Sequence, residues 1–285
     1  MKKGLKRPLE LAIEIASSKP YTISFSEGHE PRIVEAAVEA VNLGIAKIIL
    51  VGKVEKVKHQ LAKYPCSYPD RIKIHDPIRS SLIKEFSKSY YELRKHKGIT
   101  YEDAKKQATS NLVYAALLVK NGHADGTLSG AVETTSNVVK TAIWVLGKAT
   151  QVKTVSSCFL IFPKSHEPMI YADCGLVIEP NDEELVDITI AASQSCKSLL
   201  NTDPRIALLS FSTKGSAKHR NTDKILLALK KLKSLEPELL VDGELQFDAA
   251  IDSAVGKIKA PESKVAGTAN VMIFPNLDAG NIAYK

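Results

Sequence analysis

Three β-branched runs toward the end of the chain each stop in a turn dense with Gly, Ser, Thr, Asn and acid. They are RIALLSFSTKGSAKH from Arg205, LLVDGELQFDAA from Leu239 and KAPESKVAGTANVMIFPNLDAGNIAYK from Lys259. Unbroken apolar strands of this kind suit a parallel sheet covered by helices on both faces. In such sheets ligands bind where strands end. The pattern therefore selects an α/β fold and makes the turns the places to look for function.

The first half alternates in the same way. A helix near residues 8–18 precedes a strand at Tyr21–Phe25, and Ile33, Val34, Ala37, Val38 and Val41 recur at helical spacing over Pro31–Leu43. IAKIILVG (45–52) and RIKIH (71–75) read as strands, Ser80–Lys95 and Tyr101–Lys120 as helices. ADGTLSG (124–130) reads as a short strand opening into a turn, with a helix after Thr134. Residues 155–162 and 168–173 suggest a hairpin around a Pro-Lys-Ser-His turn. Pro180 and the acids after it begin a helix facing Leu185, Ile188, Ala192, Cys196 and Leu199 to a core. With 285 residues, two α/β domains with mainly parallel sheets are expected, 1–147 and 148–285, the break falling within VLGKATQVKT (145–154).

Composition excludes several classes. No apolar run reaches membrane-spanning length and the Lys-rich start lacks a secretory signal, so a cytoplasmic protein is expected. The net charge of +7 is spread along solvated faces without aromatic interleaving, which argues for a polyanionic small molecule rather than nucleic acid. The four cysteines, at 66, 158, 174 and 196, lack zinc-ligand spacing and read as reduced, mostly buried thiols. Only seven of the 39 basic residues are Arg, so an Arg among turn residues stands out.

Five segments are candidates for chemistry. SEGHEPR (26–32) places Glu27, His29 and Arg32 after a strand and reads first as a helix-entry turn with capping acids. YELRKHKG (91–98) puts Arg94 at a helix end, either complementing the dipole or reaching for phosphate. TLSGAVETTSNVVK (127–140) offers Ser129, Gly130, Thr134 and Thr135 as a turn whose backbone N–H groups suit an anion, with Lys140 adding charge; simple N-capping weighs equally. It contains neither GK[ST] nor GxGxxG. FSTKGSAKH (211–219) has the same anatomy. The carboxylates of DGELQFDAAID (242–252) lack a metal-loop pattern and read as turn caps and lysine partners, so no metal is expected.

In chain order SEGHEPR, YELRKHKG, SGAVETT, YADCGL, LSFSTKGSAKH, VDGELQFDAA and the closing KAPESKVAGTANVMIFPNLDAGNIAYK closely resemble phosphate acetyltransferases over essentially the whole chain. The related phosphate butyryltransferases share the closing GNI-YK pattern, but LQFDAA and the KAP-S spacing are more similar to the acetyl enzymes. The resemblance implies reversible acetyl transfer between CoA and inorganic phosphate in a cleft between two domains. It implies CoA and acetyl-CoA as substrates, no tightly bound cofactor, no metal, no nucleic-acid or membrane partner, and a homodimer. Arg94 matches the family's cleft arginine. Lys140 falls where a second arginine is expected, which exchanges a bidentate fork for a point charge. Gly280, Asn281, Tyr284 and Lys285 match the cleft-lining GNI-YK motif, with Lys285 and Asn281 in catalytic roles. The motifs around residue 94, 129–135 and 278–285 are expected to converge on that cleft.

Phosphate attack on a thioester develops negative charge beside an anionic nucleophile, so cations and oxyanion donors are needed. The family continues into a segment with a Ser-Arg pair and a downstream Asp, whereas this sequence ends at Lys285. That leaves His29 and Asp173 as the internal candidates for a base and leads to an expectation of weak turnover. A non-catalytic CoA or acetyl-phosphate binding module is the alternative from a different class. A dehydrogenase of the isocitrate type is another, disfavoured by the missing glycine fingerprint and metal-ready acids.

Overall fold

The computed structural model describes residues 8–150, 152–164 and 166–285. The Lys-rich start through residue 7, and Ser165 in the expected hairpin turn, lie outside the described residues. The chain divides into two compact units, Met1–Lys148 and Ala149–Lys285.

The first unit runs α1 (Pro8–Ser18), β1 (Tyr21–Phe25), α2 (Pro31–Asn42), β2 (Ala46–Val51), α3 (Val54–Leu61), β3 (Ile72–His75), α4 (Ile83–Arg94), α5 (Tyr101–Ala108), α6 (Asn111–Lys120), β4 (Gly126–Leu128) and α7 (Thr135–Val145). Its strands are all parallel, in the order β3-β2-β1-β4, with Phe25 opposite both Leu50 and Leu128. The period of two along β2 explains the layers. Ile48 and Leu50 pack with Val34, Ala37 and Val41 of α2, while Ile49 and Val51 point to the α4–α7 side with Phe86, Tyr114 and Leu118. Helix α6 is buried over Leu112–Leu118, as an all-round apolar helix must be. The helix expected over Tyr101–Lys120 is two. Ser110 takes extended backbone (φ −69°, ψ 133°) and Thr109 Oγ1 donates to the Lys106 carbonyl, so the Thr-Ser pair ends one helix and starts the next.

The second unit runs β5 (Phe159–Ile161), β6 (Met169–Ala172), α8 (Asp182–Ser195), β7 (Ile206–Leu209), α9 (Arg220–Leu235), β8 (Val241–Leu245), α10 (Phe247–Ile251), α11 (Ser253–Lys259), β9 (Val271–Ile273) and α12 (Leu277–Tyr284). The order is β5-β6-β9-β7-β8, parallel except for the β5–β6 hairpin. Ile206 and Leu208 face α8 and α9; Ala207 and Leu209 face the layer that includes α10 and α12. Asn181 and Glu184 form a reciprocal cap at the start of α8. The expectation that Leu199 is a core residue is wrong. Cys196–Leu200 forms a π-helical turn, which shifts the phase by about one residue, so Leu200 is buried (5% exposed) and Leu199 faces solvent (49%). No helix among the described residues is long and apolar enough to cross a membrane.

Candidate functional site

In the first unit α2 covers one face of the sheet and α7 the other, so β1 and β4 are adjacent strands whose exits diverge. Such a switch point is where an open α/β sheet presents a crevice. The crevice is occupied by the protein itself. Glu27 is buried, and its carboxylate accepts hydrogen bonds from the N–H groups of Gly130 (3.1 Å), Ala131 (2.8 Å), Val132 (2.8 Å) and Glu133 (2.7 Å). Burial alone would raise its pKa, but these four donors outweigh it and hold the carboxyl below its ordinary value of 4.5. The reading of Gly130–Glu133 as free anion donors is therefore corrected: an internal carboxylate already uses them. Nor does Glu27 cap the helix that follows it; α2 has no side-chain cap. Ser26 Oγ donates to Ser129 Oγ (2.8 Å) across the same crevice, and Gly130 takes φ +110°, which favours glycine. His29 is exposed beside a separate cavity of about 170 Å³ with Lys53, Lys56 and Asp76.

The candidate cations do come together. The Arg94 guanidinium, at the end of α4, lies 4.3 Å from the centroid of the Trp144 ring, and Lys140 Nζ lies 5.7 Å from the same centroid. Lys140 and Trp144 are one helical turn apart on α7, so one indole collects both cations within cation–π range. Among the described residues neither cation has a carboxylate partner. Thr134 caps the same helix, its hydroxyl accepting from Asn137 N–H (3.2 Å), and Thr135 is its exposed first residue. Trp144 was not singled out from the sequence. Being the chain's sole Trp, one turn beyond Lys140, was its signal.

In the second unit the closing motif is itself a helix, α12, capped by Asn276, whose side chain accepts from Ala279 N–H (3.0 Å). Gly280 is buried against the end of β6. A Cβ there would overlap the Asp173 carbonyl oxygen and lie 3.1 Å from Cys174 Sγ, so only glycine permits this approach. Asn281 Nδ2 donates to the Cys174 carbonyl (3.2 Å), and the Tyr284 ring stacks on Phe159 (centroids 4.1 Å, interplanar angle 14°). Lys285 is exposed, its ammonium 5.8 Å from the Tyr284 ring centroid.

Asp173 is poorly placed as a base. It is buried and accepts from Ser157 Oγ (2.5 Å) and from the N–H groups of Ser157, Gly175, Leu176 and Val177, which commits both oxygens. The FSTKGS turn is likewise filled from within. Buried Glu244 accepts from Gly215 N–H (2.7 Å) and Ser212 Oγ (2.9 Å), so of the two readings open for this turn, an anion cradle or a capped turn, the cradle is already filled by the chain. Asp242 pairs with Lys214, Asp248 with Lys259, and Asp252 caps α11. The described residues contain no group of three or more His, Cys, Asp or Glu arranged to hold a metal ion. All four cysteines are free; burial pushes the Cys174 thiol up to about 12 and the Cys196 thiol to about 11.

A family profile described as phosphate acetyl/butaryl transferase matches residues 9–285. A phosphate acetyltransferase of Thermoanaerobacterium thermosaccharolyticum is 40% identical over 282 residues, spanning 97% of this chain and 85% of its own. One from Acetivibrio thermocellus is 41% identical, spanning 97% and 84%. Among solved structures, a phosphotransacetylase from Streptococcus pyogenes superposes with a TM-score of 0.90 at 36% identity, covering 97% of this chain and 84% of that one.

Proposed function

The chain belongs to the phosphate acetyl/butaryl transferase family, and from that premise we propose which of its residues carry the chemistry. It is an acyltransferase that moves an acetyl group reversibly between CoA and inorganic phosphate. A phosphate oxygen attacks the thioester carbonyl, the C–S bond breaks, and the sulfur leaves with its electron pair to take up a proton. Acetyl phosphate and CoA result. No electron is gained or lost, and the difficulty is electrostatic: a dianion must approach a carbonyl that is itself becoming an oxyanion.

The observation that supports the site assignment is the pair of cations gathered on Trp144. Two positive groups held on one ring, with no carboxylate partner among the described residues, repel each other, a cost that an anionic ligand removes. Arg94 supplies a planar fork suited to phosphate oxygens and Lys140 a point charge. At the start of α7, Thr134 and Thr135 add donors on the positive end of the dipole, beside the closed Ser129–Gly130 turn. Within the second unit, Asn281 of α12 is a neutral donor and the exposed Lys285 a cation, the kinds of group that the family resemblance places in catalytic roles. Gly280 and Tyr284 fix where that helix sits. Acetyl-CoA and phosphate as substrates, with no tightly bound cofactor and a homodimeric state, complete the proposal.

Thiol release from acetyl-CoA should depend on phosphate and exceed that from butyryl-CoA. Removing the Arg94 guanidinium should weaken CoA or phosphate binding by about 1.5–3 kcal/mol, the range for a charged hydrogen bond, and the deficit should shrink in high salt. An Arg94→Ala protein whose dissociation constants for CoA and phosphate equal the parent's would return Arg94 to a packing role on Trp144.

A further inference from the structure

The second unit has its own switch point, and there the crevice is open. Strand β7 exits into α9 on one face of the sheet, while its neighbour β9 exits into α12 on the other. Between these exits lies a cavity of about 380 Å³, within the usual range for small-ligand sites. Its walls include Leu209, Phe211, Phe247, Phe274, Ala279 and Ala283. Phe274 and Phe247 are held from below by Tyr171, with centroids 5.3 and 6.0 Å away. Phe211 is 57% exposed at the mouth, with the His219 ring edge-on to it, centroids 6.1 Å apart.

The polar groups at this cavity are few, and some keep hydrogen-bonding capacity to spare. The Asn221 side-chain amide has no partner among the described residues. Asn276 uses its oxygen on Ala279 N–H, and the Ser210 hydroxyl accepts from Ser212 N–H, keeping its own hydrogen. Lys224, by contrast, spends its ammonium on Glu179 and the carbonyls of Pro180 and Pro275, so it lines the cavity with its stem. Lys218 and Arg220, on either side of the His219 that meets Phe211 at the mouth, are both exposed, with no carboxylate partner among the described residues. An aromatic slot, an edge of uncommitted amide and hydroxyl groups, and cations near its mouth describe a phosphorylated heteroaromatic ligand.

The slot is separate from the acyl-transfer residues on the same helix. At 100° per residue, Ala279 and Ala283 lie roughly opposite Asn281 and Lys285 around α12. We infer that the crevice between β7 and β9 binds the base of an adenine nucleotide, stacked among Phe211, Phe247 and Phe274, with its phosphates on Lys218 and Arg220. The base has two sources. It is CoA's own adenine, in which case the inference rests on the acyl-transfer reading, or that of a free nucleotide, in which case it does not.

The test is equilibrium binding of adenosine 3′,5′-bisphosphate, CoA and pantetheine to the full chain and two variants. Ala283→Phe fills the slot from an exposed helix position; Asn221→Ala removes its uncommitted amide. Both should lose about tenfold or more in bisphosphate affinity, the scale of a lost base-stacking or base-edge contact, with unchanged melting and unchanged pantetheine binding. A parallel loss for CoA identifies the base as CoA's, and an unaffected CoA affinity identifies a free nucleotide. If the parent does not bind the bisphosphate at millimolar concentration, or a folded variant binds it as well as the parent, the inference is overturned. A parent that binds the bisphosphate yet shows no phosphate-dependent acetyl transfer refutes only the acyl-transfer reading.

Discussion

Replacing Glu27 by Gln should destabilise the first unit by about 2–4 kcal/mol at neutral pH. The native carboxylate accepts four backbone N–H groups, two on each oxygen, at 2.7–3.1 Å. Glutamine is nearly isosteric but offers one acceptor oxygen, and its NH2 group would confront the other two donors. Each buried donor left unpaired costs about 1–3 kcal/mol, giving about 2–6 for two. Gly130 and Val132 are exposed, so water can reach part of the turn, which selects the lower half of that range. Trp144, the sole Trp and on the helix after this turn, makes urea unfolding followed by its fluorescence a reporter for this unit. The pH dependence carries the sign. Because the folded pKa is below the ordinary 4.5, the stabilisation is fully present above about 4.5 and lost as pH falls through the lower folded value. Parent and variant should therefore differ most near pH 7 and converge in acid, where a protonated Glu27 resembles Gln. A difference under about 0.5 kcal/mol at pH 7, or one that stays constant into acid, refutes the reasoning.

The Gly280→Ala substitution should push α12 off the end of β6, costing about 1–3 kcal/mol in stability by overpacking and displacing Asn281 and Lys285; a thermal melt and acetyl-transfer rate matching the parent's would count against both effects. Alkylation at pH 8 should label Cys66 and Cys158, which are partly exposed, and spare Cys174 and Cys196, whose buried thiols remain protonated there; mass mapping that finds Cys174 modified in the folded protein contradicts this.

What could be read from the sequence followed from local periodicity. The continuous apolar run at 45–52 reads as a strand of a buried parallel sheet, and its residues divide alternately between the two cores of the first unit. The β5–β6 hairpin was visible because two apolar runs flank a short polar turn. What local pattern could not supply was an interaction whose range is set by strand order. Glu27 and its four donors are more than a hundred residues apart and meet because β4 lies beside β1. Arg94 and Lys140 read as separate basic residues because the Trp144 ring that joins them belongs to a helix packed beside α4. The π-helical turn at Cys196–Leu200 defeated the helical count for a different reason. One inserted residue leaves composition unchanged and rotates everything after it.

The same chemistry recurs at three of these turns, and it changes what a glycine-and-hydroxyl turn means in this chain. Glu27 fills Gly130–Glu133, Asp173 collects Gly175–Val177 with Ser157, and Glu244 holds Gly215 with Ser212. The first two are sets of backbone donors that would suit a phosphate and the third is one N–H with a hydroxyl, and each is taken up by a buried carboxylate of the chain itself. A ligand phosphate would have to displace a carboxylate already desolvated and fully bonded, at the cost of several hydrogen bonds. Phosphate recognition is thereby moved from the backbone to side-chain cations, in a chain with few arginines to spend. That is why cations without a carboxylate partner among the described residues, such as Arg94 and Lys140 on Trp144 and Lys218 and Arg220 near the aromatic slot, are where anionic ligands should be sought. It also separates two kinds of mutation. Loss of Glu27 should act through the fold, with ligand affinity following stability, whereas loss of Arg94 should change affinity and leave the melting temperature nearly where it was.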